Sequence, residues 1–390
     1  MILLEKEKEL FLHTYKRIPI DVDYGKGVFL FDKDGKKYLD FFSGLAVNAL
    51  GYAHPRIVSA VSDQISKFAH LSNNYITKIQ IDFTEKLLKY SGMSRAFLTN
   101  SGAEAVEGAI KIMRKISGPD KKIFSLTNSF HGRTYGALSL TARQKYRAGF
   151  EPLLQNTAQI KFNDINDLKK TVDGNTAAVF LELFQGEGGI NIVSEEFINE
   201  LSSLRDKFHF FIVLDEIQTG AGRTGKAFSY HHFNFNPDIV VAAKAIGGGL
   251  PLGAILTSKK FDDVFGYGNH GTTFGGNPVC CAAGIVVLEE VFEKGLLKNV
   301  EKTGNYLTDQ LENLKSKLPS KIKEVRGKGL MVGVELFFDG VEVVNVMREK
   351  GILINCTNQN VIRLLPPLII TKENADNFIS EFKNTLTELS

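Results

Sequence analysis

The chain has 390 residues, 43% hydrophobic and 23% charged, an ordinary globular balance with length for two or three domains of ~150 residues each. With 47 Lys and Arg against 44 Asp and Glu, a net charge of +3 gives no reason to expect a polyanionic partner, and nucleic acid is set aside. Cys280, Cys281 and Cys356 make neither a disulfide framework nor a C-x-x-C pair, so a reducing cytoplasm and no metal site are expected.

The N-terminal "MILLEKEKEL" places Glu5, Lys6, Glu7 and Lys8 where a secretory leader needs apolar residues. No apolar run approaches the ~18 residues of a membrane span, so a soluble protein is expected. "VFLFDKDGKKYLDF", Val28 to Phe41, predicts a hairpin turning at Asp34-Gly35, where glycine accepts positive φ. Short apolar runs follow at "RAFLT", "KIFSL", "AAVFLEL", "FHFFIVL", "DIVVAA" and "GAILT". Lacking polar alternation, they suit strands buried on both faces, hence a mostly parallel sheet covered by helices. Val106, Ala109, Ile110 and Met113 share one helical face after "RAFLTNSG".

Beyond "NPVCCAAG" the pattern turns to long helices, then to the mixed stretches "GLMVGVELFF", "GILIN" and "VIRLLPPLII". A last helix sets Ala375, Phe378, Ile379, Phe382 and Leu386 on one face, with Thr371 as N-cap. The expected α/β organisation is an N-terminal segment over 1–50 that packs with the small domain, a large domain over 51–280, and a smaller α+β domain over 281–390.

Some motifs mislead. "GAGRTGK", Gly220 to Lys226, fits both G-x-G-x-x-G and G-x-x-x-x-G-K. A P-loop needs Ser or Thr where Ala227 stands, and no helical periodicity follows the glycines. It reads as a glycine-rich active-site or surface loop. His231-His232 lacks a carboxylate or cysteine at ligand spacing and reads as solvated loop. No G-x-S-x-G elbow is present for serine-hydrolase chemistry.

Open α/β sheets bind ligands at the carboxyl ends of their strands. There "FFIVLDEIQTG" ends in Asp215, and "AAVFLELFQGEGG" presents Glu182, Gln185 and Glu187. "FLTNSGAEA" passes through Ser101-Gly102 directly into a helix, whose free N–H groups and dipole suit a phosphate. "DIVVAAK" ends in Lys244, before three glycines. Singly these are an N-cap, a cap, a loop anchor and a snorkelling lysine. Together they suit pyridoxal 5′-phosphate, which requires a lysine for a Schiff base, an acid for its pyridine nitrogen and a phosphate cradle. Glycines 247 to 249 would let the backbone pass close to it.

"FIVLDEIQTGAGRTGKAF", "PDIVVAAKAIGGGLPLGAIL" and "HGTTFGGNPVCCAA" resemble the class III, ornithine-type aminotransferases of fold type I, in order and spacing over nearly the whole chain. The resemblance implies a mostly parallel seven-stranded sheet in the large domain. It implies Lys244 as Schiff-base lysine and proton shuttle, Asp215 at the ring nitrogen, Gln218 at the ring hydroxyl and Phe130 stacked on the ring. Ser101, Gly102 and Ala103 would hold the phosphate, joined by Thr273 of a second subunit, which implies a homodimer with shared active sites. Glu182 is a further candidate for catalysis, and Thr272 for the substrate. Arg133 and Arg363 would bind carboxylates. Glu187 would pair with Arg363 while an ω-amino donor is bound and swing away for 2-oxoglutarate.

Leu183 departs from the proline the family usually has after the first glutamate of E-P-x-Q-G-E, which bears on the local turn. Gly44 stands where ornithine aminotransferases carry a tyrosine, leaving room as in the enzymes acting on acylated ornithine. The expectation is transfer of the δ-amino group of N-acetylornithine or N-succinylornithine to 2-oxoglutarate, in arginine metabolism. Alternatives are free ornithine or 4-aminobutyrate as donor, a decarboxylase or aminomutase on the same fold, or a non-catalytic ligand-binding regulator.

Overall fold

A computed structural model describes residues 2–389. Its centre is a seven-stranded sheet in the order Arg95–Thr99, Gly253–Thr257, Ile239–Ala242, Phe211–Asp215, Thr176–Leu181, Lys122–Leu126, Thr157–Ile160. Gly253–Thr257 runs against both its neighbours, and the remaining pairs are parallel. The six apolar runs became strands. The edge strand Thr157–Ile160 was not singled out, because "TAQI" is short and half polar.

Successive residues of one strand enter different layers, as a sheet covered on both sides requires. Ile239 and Val241 pack with Ala105, Val106, Ala109 and Met113 of the helix Gly102–Ser117. Val240 and Ala242 belong instead to the larger core containing Val287, Leu288 and Val291 of the helix Pro278–Phe292. Burial of both faces explains why these strands read as continuous apolar runs.

The predicted hairpin pairs Phe29–Asp32 with Lys37–Asp40. Asp32 Oδ1 accepts from the N–H groups of Asp34 (3.1 Å) and Lys36 (2.8 Å), and Gly35 takes φ 81°. Ile352–Leu353 joins this sheet parallel to Lys37–Asp40, so residues far apart in the chain share it. A four-stranded antiparallel sheet (Ile322–Lys328, Met331–Leu336, Val361–Leu364, Asn355–Thr357) lies with the helices Leu296–Lys317 and Lys372–Glu388. Thr371 caps the last helix reciprocally with Asn374.

Two segments differ from their sequence reading or exceed it. "GAGRTGK" lines no part of the cavity described below, and it is buried over residues 220–225 with Lys226 exposed. Arg223, 1% exposed, donates to the carbonyls of Leu330 (3.0 Å) and Pro366, tying the loop to the C-terminal region. Burial lowers its pKa to about 9, partly opposed by Asp40. His231 of the adjacent histidine pair is exposed and packs on Tyr230, while His232 lies 3.0 Å from the Thr224 carbonyl.

Ser43, Gly44, Leu45 and Ala46 all take positive φ (44°, 61°, 66° and 66°), a left-handed turn whose three non-glycine residues are strained. Asp40 holds it: Oδ1 accepts from Phe42 N (2.7 Å) and Ser43 N (2.9 Å), and Oδ2 from the Tyr52 hydroxyl at 2.5 Å. Ser43 Oγ donates to Leu365 O at 2.5 Å. Asp40→Ala leaves three donors unmatched in the interior and is expected to cost ~2–4 kcal/mol. Urea unfolding checks this: the midpoint should fall at unchanged m-value, and an unmoved midpoint would contradict the anchoring role.

Candidate active site

A cavity of about 480 Å³ opens at the carboxyl ends of the central strands. Each side arrives from its own strand end. After Thr99 the chain turns through Asn100 into the helix Gly102–Ser117; Ser101 Oγ accepts from Glu104 N (3.2 Å), and Glu104 Oε2 accepts from Asn100 N (2.9 Å). Ser101, Gly102 and Ala103 line the cavity at that helix start. A Cβ on Gly102 would lie 2.5 Å from Ile217 Cδ1, so a larger residue at this helix start would press on Ile217.

Asp215 ends its strand 5% exposed. Oδ1 accepts from Ile217 N (3.0 Å), and Oδ2 lies 2.8 Å from His131 Nδ1. His131 is buried, which disfavours its charged form, yet the Asp215 carboxylate outweighs this and raises its pKa, helped by Glu182. Glu182 Oε2 accepts from Phe130 N (2.9 Å) and Oε1 from Gly186 N (3.0 Å). Burial, reinforced by Asp215 and opposed by His131, pushes Glu182 up to about 7. Glu216 faces away from this group. Its buried carboxylate accepts from Thr219 Oγ1, Ser229 N, Ser229 Oγ and Tyr230 N, anchoring the following loop.

Lys244 follows its strand with φ 52°, strain of the kind found at functional sites. Its amine is pushed below the ordinary lysine range by burial and by the charge of Arg363, with Asp215, Glu187 and Glu182 opposing. A larger neutral fraction makes it a better nucleophile and base. Gln218, 9% exposed, lines the cavity with its Oε1 unpartnered.

Arg363, 1% exposed, donates from Nη1 to Glu187 Oε1 at 2.6 Å and from Nε to Asn355 Oδ1 at 2.8 Å. Burial works against the charge on Glu187, but Arg363, then Lys244 and Arg143, hold its pKa below the usual range. Phe130 and Arg133 line the cavity; Arg133 is exposed, its guanidinium carbon 3.7 Å from the Tyr146 ring centroid. Arg363 reaches the space through Glu187, itself a lining residue. Thr272 and Thr273 do not line it: Thr272 Oγ1 is 3.2 Å from Asn100 Nδ2, and Thr273 is exposed. Gly44 does not line it; a Cβ there would press on Asn48 Nδ2 at 3.2 Å and meet Val47 Cβ at 3.9 Å. Leu183, at the family's proline position, is buried and accepts from Val193 N.

His131, Ile217, Asn100 and Val47 also line the cavity and carry no role in the sequence reading. Ile217 was within reach of it, two positions after Asp215 in the turn that follows the strand. His131 was not, because its partner lies 84 residues away.

This assembly defines a class of enzyme. The chain matches the Aminotransferase class-III family over residues 11–386 and belongs to it, a family of transaminases. It is 44% identical over 391 residues to the acetylornithine aminotransferase of Methanocaldococcus jannaschii, covering 99% of this chain and 98% of that one. Against the acetylornithine aminotransferase of Aquifex aeolicus the identity is 45% over 380 residues, covering 96% and 99%. The ornithine aminotransferase of Toxoplasma gondii ME49 superposes with a TM-score of 0.95 at 30% identity, covering 99% of this chain and 94% of that one. The acetylornithine aminotransferase of Elizabethkingia anophelis gives 0.89 at 34%, covering 99% and 98%.

Proposed function

We propose that the protein transfers the δ-amino group of N-acetylornithine, or N-succinylornithine, to 2-oxoglutarate with pyridoxal 5′-phosphate, yielding the acylated glutamate semialdehyde and glutamate. The family implies the cofactor, and the residues fit it. A helix start whose Ser101, Gly102 and Ala103 line the cavity suits a phosphate; the unpartnered Gln218 Oε1 suits a ring hydroxyl; Asp215, backed by His131, suits a pyridinium. When bound, the cofactor supplies an electron sink for the charge left as a proton leaves the amine-bearing carbon.

The chain's own groups do the rest. Ser101, Gly102 and Ala103 would hold the phosphate, Phe130 would cover the ring face, and Gln218 and Asp215 would orient it. Lys244 Nζ, with its depressed pKa, takes and returns the proton. Glu182, set between Phe130 N and Gly186 N, fixes the segment that carries Phe130. Arg133 at the mouth would receive a substrate carboxylate, and Thr272 would adjust that side through Asn100. Thr273, exposed and outside its own chain's cavity, supports a homodimer in which it completes the partner's phosphate site. Three free cysteines accord with a cytoplasmic setting, and among the described residues no helix is long and apolar enough to cross a membrane.

The observation that carries the reading is the Glu187–Arg363 pair, a buried arginine covered by a partly exposed glutamate. A donor whose amine-bearing carbon carries no carboxylate leaves it intact, whereas 2-oxoglutarate, whose keto carbon carries one, displaces Glu187. A decarboxylase or aminomutase has less need of such a pair. A second reading, free ornithine as donor, draws on the likeness to the Toxoplasma ornithine enzyme; glycine at residue 44, where ornithine aminotransferases carry a tyrosine, and the likeness to acetylornithine aminotransferases favour the acylated donors. Initial rates with N-acetylornithine, N-succinylornithine, ornithine and 4-aminobutyrate against 2-oxoglutarate decide between them. The acylated donors should lead, and a clear lead for ornithine or 4-aminobutyrate would reverse the assignment.

A further inference from the structure

Glu187 sits among Gly186, Gly188 and Gly189, a composition that favours a loose backbone. The structure instead pins three successive carbonyls. Arg143 Nη2 and Thr357 Oγ1 both donate to Glu187 O, the latter at 2.7 Å. Asn358 Nδ2 and Asn191 Nδ2 donate to Gly188 O, the latter at 2.9 Å. Arg326 Nε donates to Gly189 O at 2.9 Å. Arg143 also donates to Asn358 Oδ1, closing a ring among the three segments.

The glycines serve clearance. A Cβ on Gly186 would lie 2.1 Å from Gln218 Oε1, and one on Gly188 would lie 2.7 Å from Gln185 Cβ. The turn that brings Asn358 is itself left-handed, with φ 51° at Asn358 and 68° at Gln359. Such backbone persists only where surrounding contacts over-determine it.

We infer that Arg143, Thr357 and Asn358 are positioning residues that clamp the Glu187 peptide, so that the Glu187–Arg363 pair opens and closes by side-chain rotation alone. The inference rests on the role proposed above for that pair. A ligand with a second carboxylate binds Arg363 only by breaking the pair, so its affinity is lowered by whatever holds Glu187 in register. Loosening the clamp weakens the pair. Ligands that place a carboxylate on Arg363, such as glutarate, then bind more tightly, while donors with no carboxylate on the amine-bearing carbon meet an uncovered, buried arginine and bind less well.

Opposite signs distinguish positioning from general support. Asn358→Gly retains the positive φ and removes the amide; Thr357→Val retains the strand shape and removes the hydroxyl. In the holoenzyme, glutarate affinity measured by titration calorimetry should rise about 3- to 10-fold, and kcat/KM for N-acetylornithine should fall by a similar factor. A parallel loss of both, or no change in either, in both variants would overturn the clamp. Arg363→Lys serves as the control. If it leaves glutarate affinity unchanged, the role of the pair fails and the clamp with it; if it weakens glutarate binding while the clamp variants show no opposite shifts, the clamp alone fails.

Discussion

Lys244→Ala is expected to lose transamination by about 10⁴-fold or more, to the background of the assay. On the proposed reading two functions would leave with one amine: the covalent hold on the cofactor and the base that moves the proton. Neither can be supplied by neighbours, because Asp215 is engaged by His131 and Ile217 N, and Glu182 by two backbone N–H groups. The fold should survive, since burying an ammonium is unfavourable and alanine removes that cost. Borohydride reduction of the native holoenzyme and peptide mapping should place the pyridoxyl label on Lys244. Undiminished turnover in the variant, or a label elsewhere, would end this account of the site.

Asp215→Asn should lower kcat by about 10²- to 10⁴-fold, the usual scale for removing a fixed charge from where charge develops. The change also reaches His131. With the carboxylate present, the folded-state pKa of His131 is raised above its ordinary value. That linkage contributes stability fully present below ~6.5 and lost as pH rises through the elevated folded value. The neutral amide removes the cause, so thermal unfolding followed from about pH 6 to 9 should show a smaller decline in the variant than in the parent. The His131 resonances should titrate at lower pH. Equal slopes for the two proteins would mean that the pair is not an ionic one.

Much of this architecture was legible because the central strands are buried on both faces and therefore lack polar alternation. The helix after Thr99 was legible through its face of Val106, Ala109, Ile110 and Met113, and its start through Ser101. What stayed hidden was long-range or conformational. His131 meets Asp215 across 84 residues, a distance no local spacing encodes. "GAGRTGK" reads as an active-site or surface loop because it lacks the P-loop Ser or Thr and no helical periodicity follows it; nothing local shows that two backbone carbonyls take the place of water for Arg223. The left-handed turn through Ser43–Ala46 has one glycine, and its other three residues give no sign of positive φ. The Asp40 contacts and the Ser43–Leu365 hydrogen bond explain it. The resemblance placed Glu187 opposite Arg363, but the pinning of the Glu187 backbone depends on Arg143 and Asn358, which no motif marks.

The reversed strand Gly253–Thr257 bears on when the protein becomes able to capture its cofactor. Ala242 pairs with Ala254, so the stretch bearing Lys244 is a short excursion closed by neighbours in sequence. Such closures form fast and early. The phosphate cradle is different: Gly253 must meet Thr99 from far upstream, and His131 must reach Asp215. A partly folded chain would thus own its reactive lysine before it owns anywhere to seat the cofactor. Capture of the vitamin would then report completion of the sheet's edge, making cofactor fluorescence a late-stage clock for refolding.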